Sequence, residues 1–171
     1  MTAAAIALND GNELAMKHLR GAVFTALYGA VMAFVEETAA YLDGPGRAES
    51  KKLQKMQAYD YANLTRQLTV GTMQVANVLL TLRSVRKGEI PLSSAMFEIK
   101  RKSPLDSPEA GVDVRGNIGD QPQGLLALVL KFEELRLAAV NFVGSLETVQ
   151  EPIDNPVHNA LALIGKAFSK T

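Results

Sequence analysis

Three long apolar stripes at helical spacing, kept apart by proline- and glycine-rich breaks, limit what this chain can fold into more than any other feature. In the first, Leu14, Phe24, Leu27, Val31, Phe34, Val35, Thr38 and Leu42 recur at three- and four-residue steps, which predicts a helix over about residues 11–43. Asp10 and Glu13 stand at the spacing of a capping box and place its start, while Gly21 and Gly29 are tolerated weak points within it. Gly44 is suited to the left-handed conformation that closes a helix, Pro45 cannot continue one, and Gly46 gives the chain room to reverse. The expectation is an αα-hairpin.

The second stripe, from Leu53 through Met56, Tyr61, Leu64, Leu68, Val75, Leu79 and Leu82 to Val85, predicts a helix over 48–87, closed by the basic Lys87 and a stop at Gly88. At 1.5 Å per residue it would be about 60 Å long, so its neighbours must be long or part of it must pair with a second copy. Residues 88–120 lose the period: Pro91, Pro104, Pro108, Gly111, Gly116 and Gly119 punctuate a polar segment. A long, mobile loop is expected there, its Lys100, Arg101 and Lys102 offset by nearby acids.

Asp120 and Gln123, with Pro122 between them, give a second capping-box spacing, and the stripe from Leu125 to Val149 predicts a helix over 121–150, ended by Pro152. The expected class is therefore all-α: an antiparallel three-helix bundle over residues 1–151, running up-down-up, with the long loop between helices 2 and 3. Residues 152–171 are expected to form a flexible tail. In it Asn155 and Pro156 read as the start of a marginal amphipathic helix bearing Val157, Leu161, Ile164 and Phe168. Such a stripe must dock, either on its own bundle or in a partner's groove.

Eighteen basic and eighteen acidic residues leave a formal net charge of zero, so no broad basic field is available for nucleic acid or an anionic membrane. The chain has no cysteine and two histidines, which excludes thiolate chemistry and leaves few metal ligands; no cofactor or metal is expected. No stretch approaches a membrane span, and the cytoplasm is the expected compartment. Phosphate loops, dinucleotide fingerprints and nucleophile elbows are absent. One near miss is Lys17-His18-Leu19-Arg20-Gly21, which resembles the motif of histidine phosphotransfer domains shifted by one residue, or about 100° around the helix.

Charge placement around the hairpin reverses the usual preference of helix ends. Glu36, Glu37 and Asp43 crowd the end of the first helix, and Lys51, Lys52 and Lys55 the start of the second. Ion pairing across the hairpin is the structural expectation. The functional one is a two-sign patch, with Arg47 and Glu49 at its tip, offered to another protein.

The run from Val35 to Lys51, Val-Glu-Glu-Thr-Ala-Ala-Tyr-Leu-Asp-Gly-Pro-Gly-Arg-Ala-Glu-Ser-Lys, resembles the signature of the alphaproteobacterial RcdA family, the regulators of CtrA degradation. That resemblance implies a cytoplasmic, homodimeric adaptor without catalytic activity, recruited to a cell pole through its partners. Its implied role is to deliver cell-cycle regulators such as CtrA to the ClpXP protease, through ClpX, CpdR and PopA. The candidate contact residues are Glu37, Asp43, Arg47 and Glu49 on the hairpin and Leu161, Ile164 and Phe168 in the tail. Two further readings stand beside the adaptor: a phosphotransfer protein using His18, and a helical scaffold that only dimerises.

Overall fold

Alanine and leucine, which lose little side-chain freedom in a helix, fill the periodic segments, so helix continues until a glycine or proline interrupts it. The computed structural model describes residues 3–102, 105, 110–113 and 120–150, with side chains from residue 12 to 148. They form α1 (Ala3–Arg20), α2 (Ala22–Asp43), α3 (Pro45–Ser50), α4 (Lys55–Arg86), α5 (Leu92–Lys102) and α6 (Gln123–Gln150). No strand occurs among the described residues, and the all-α class holds.

Several boundaries differ from expectation. The helix predicted over 11–43 starts at Ala3 and breaks at Gly21, whose extended backbone (ψ 164°) separates α1 from α2. The alanines before Asp10 extend the helix past the expected cap, and glycine is the residue at which a break costs least. Gly44 is not left-handed: its φ is −105°, and Pro45 opens the short α3 at once. The helix predicted over 48–87 therefore begins at Lys55, where the Gln57 side chain accepts the backbone N–H of Gln54 at 3.0 Å. Its far end is as expected. Gly88 takes φ 77°, and the N–H groups of Gly88 and Glu89 donate to Val85 and Ser84 in a Schellman closure.

The three long helices α2, α4 and α6 each contact the other two, and α1 packs over the core with Ala15 and Leu19 fully buried. The end of α4 meets the start of α2, where Arg83 donates to the Tyr28 hydroxyl at 2.6 Å. These two helices are antiparallel. Phe132 of α6 lies 6.5 Å from Phe34, and Phe142 lies 5.5 Å from Phe24, so α6 is also antiparallel to α2. It thus runs alongside α4 in the same direction, with Gln121 donating to the Gln57 carbonyl at 3.3 Å. The expected up-down-up order is corrected to up-down-down.

A parallel pair needs a connection that returns the chain over the length of the bundle, and residues 88–120 supply it. Along this path Lys100 pairs with Glu147 at 3.1 Å, the Leu105 carbonyl accepts from Arg136 at 2.8 Å, and Asp113 N–H donates to Gln67 at 2.7 Å. Its described part is not the expected mobile loop. It holds α5, which buries Leu92, Ala95, Met96 and Ile99, followed by buried Leu105, Ala110 and Val112. The tail 152–171 lies outside the described residues.

One described stretch, Ala22–Ser50, contains an 18-residue window of mean hydropathy 1.3 and is by length and composition apolar enough to cross a membrane, where none was expected. Alanines on its outer face raise that value. Its Phe24, Leu27, Val31 and Phe34 stripe is buried in the bundle, while most of the rest faces out, only 28% of the window being buried, as in an amphipathic helix packed by one face.

Candidate interaction surfaces

The signature run at the α2–α3 corner is built around Tyr41. Its ring lies between two glycines from distant parts of the chain: a Cβ on Gly46 would fall 2.7 Å from the ring, and one on Gly124 at 2.5 Å. The Tyr41 hydroxyl donates to Glu49 at 2.7 Å, and the Tyr61 hydroxyl sits where a Gly46 side chain would go. Burial, then the Glu49 carboxylate beside the hydroxyl, pushes the Tyr41 phenol well above its ordinary range; burial also raises Tyr61. This part of the signature locks α2, α3, α4 and the start of α6 together.

The four hairpin candidates separate into different roles. Glu49 is half-buried and engaged by Tyr41, whereas Glu37, Asp43 and Arg47 are exposed. Glu37 pairs with Lys131 of α6 at 2.5 Å. Asp43 follows it by about 240° around the helix, so the two acids do not share a face. The expected ion pairing across the hairpin is corrected: among the described residues no such pair joins Glu36, Glu37 or Asp43 to Lys51, Lys52 or Lys55. The extra turn of α3 and the following residues lengthen the connection between the two charge sets. Asp43 and Arg47 remain as a solvent-facing, two-sign tip. Leu161, Ile164 and Phe168 fall outside the described residues.

His18 closes α1, half-buried, beside a cleft lined with Lys17, Gly21, Val23, Phe142 and Ser145. No group of three or more His, Asp or Glu side chains among the described residues is placed to hold a metal ion.

A surface that the sequence reading did not assign lies on α4, and it corrects one position of the core stripe, since Met56 faces solvent. Met56, Tyr59, Asn63, Arg66, Val70, Met73, Asn77 and Leu80 recur at alternating steps of three and four, and all are exposed. The opposite positions Tyr61, Leu68, Val75 and Leu82 fill the core. Met56 and Met73 are 72% and 62% exposed, and the spacing is that of the seam between two packed helices. The signal was present in the sequence as a second heptad interleaved with the core stripe.

These features define a helical-bundle protein with its distinctive residues in a packed corner and on open helix faces. Residues 15–168 match the family described as "Protein of unknown function (DUF1465)". The crystal structure of RcdA from Caulobacter crescentus CB15 is similar at 33% identity and a TM-score of 0.63, covering 77% of this chain and 96% of that one. No curated protein matches. The chain belongs to the DUF1465 family by its sequence and, with the similarity first read from residues 35–51, to the RcdA family.

Proposed function

We propose that this protein is a non-catalytic, dimeric adaptor of regulated proteolysis. It delivers cell-cycle regulators, CtrA among them, to ClpXP, working with ClpX, CpdR and PopA in the cytoplasm and at a cell pole. The observation that carries this reading is the 33% identity to RcdA over 96% of that chain. Two surfaces accord with it. The Asp43–Arg47 tip offers both charge signs to a partner, and the outer seam of α4 has the spacing to receive a second copy of the same helix. An adaptor needs only modest affinity at each surface, because tethering raises the local concentration of what it carries.

The test is degradation of CtrA by ClpXP reconstituted with CpdR and PopA, with and without the full chain. Degradation is expected to accelerate when the chain is added. Truncation after Glu151 is expected to leave the bundle folded and weaken delivery, which assigns Leu161, Ile164 and Phe168 to contact. An unchanged rate on adding the full chain would sink the adaptor reading, and full delivery by the truncated chain would remove the tail residues from the contact set.

A further inference from the structure

At the end of the bundle opposite the hairpin, a cleft of about 370 Å³ opens between the first turns of α2 and the last turn of α4, lined by Phe24, Thr25, Tyr28, Arg83, Arg86 and Lys87. Arg83 donates to the Tyr28 hydroxyl at 2.6 Å with its guanidinium 5.0 Å from the centre of that ring, and Arg86 donates to the Thr25 hydroxyl at 3.0 Å. Both guanidiniums are thus held by neutral hydroxyls. Elsewhere Arg101 and Arg136 are paired with Glu98 and Glu133. Among the described residues no carboxylate lies within ion-pair distance of Arg83 or Arg86; the nearby Glu89 is hydrogen-bonded by Ser84 and Lys87, the latter at 3.3 Å, and feels Arg83 only through space.

Each guanidinium has five N–H donors in a planar fork and spends one here on a hydroxyl, leaving donors for a carboxylate. The two arginines are three residues apart on α4, so they stand on one face about a turn apart. Between them and α2 the cleft is floored by the half-buried Tyr28 ring, with the fully buried Phe24 beneath it. We propose that this cleft binds an acidic peptide segment, with two carboxylates on Arg83 and Arg86 and the apolar side chain between them on the Tyr28 ring. An isolated phosphate would leave that floor unused, and a neutral apolar peptide would leave the arginines without partners. The inference rests on the adaptor reading for what the peptide belongs to, and adds the chemistry of the segment recognised.

The experiment uses no protease component, so its failure and that of the adaptor reading are separate. Isotope-labelled full-length protein is titrated with a capped Gly-Asp-Leu-Glu-Gly peptide, with its Gly-Asn-Leu-Gln-Gly counterpart, and with inorganic phosphate. The acidic peptide is expected to shift the Thr25 and Tyr28 signals and to bind at least about tenfold more tightly than the neutral one. Arg83→Gln with Arg86→Gln is expected to weaken it by at least about tenfold, and the solvent-exposed Lys87→Gln by less. Circular dichroism checks that the double variant folds; if it does not, Arg86→Gln alone carries the test. Equal binding of the two peptides, unchanged binding by the arginine variants, or displacement of the peptide by phosphate at matched concentration would each overturn the proposal.

Discussion

Tyr41 shows how a short signature serves the fold before it serves any partner. Its ring fills the space that two glycines leave open, and its hydroxyl is bound to Glu49, so the neutral phenol is the form the folded state favours. The phenols of Tyr41 and Tyr61 are both raised above the ordinary value near 10. A raised value in the folded state means that their contribution to stability is complete below about pH 10 and fades as pH climbs beyond the unfolded value. Urea midpoints are therefore expected to fall between pH 9 and pH 11 in the native chain, and to fall less in Tyr41→Phe/Tyr61→Phe. An equally steep fall in the double variant would move the cause elsewhere. The sequence made Gly46 legible as a turn residue; its second role, beside Tyr41, was hidden because Gly124 lies so far along the chain.

Among the elements, the returning connection departs furthest from expectation. The periods of α2, α4 and α6 were plain because a helix's own spacing records which face it buries. No local pattern records the direction in which the chain next travels. That direction depends on anchors such as Leu105, Ala110 and Val112, isolated apolar residues that acquire meaning only once α6 is in place. Arg136 and Glu133 hold them: Glu133 accepts the Val112 N–H at 2.8 Å, while Arg136 binds Glu133 and the Leu105 carbonyl. Removing Arg136 leaves a partly buried carboxylate and carbonyl short of a partner. Arg136→Met is expected to cost about 1–3 kcal/mol. Hydrogen exchange should quicken at Val112 and Asp113 while α2 and α4 amides stay protected; protection lost equally everywhere would show the clamp to be part of the global core instead.

For the molecule as a whole, the charge balance and the open seam of α4 point the same way. With no net charge to keep copies apart, an exposed stripe carrying Met56, Tyr59, Val70, Met73 and Leu80 favours self-association. Met73→Glu is expected to convert a dimer to a monomer in light scattering with its helical content unchanged, since the side chain faces away from the core. Dimers that persist in that variant at the same concentration would place the contact on another face.

The up-down-down path also orders events on the ribosome. The α2–α4 pair is complete roughly 60 residues before α6 has been made, which at about 5–20 residues per second leaves its inner side uncovered for several seconds. A nascent chain in that interval presents Phe34, which stacks on Phe132 only once α6 is in place, to whatever waits at the exit tunnel, so slow codons downstream of Gly88 would lengthen its dependence on chaperones.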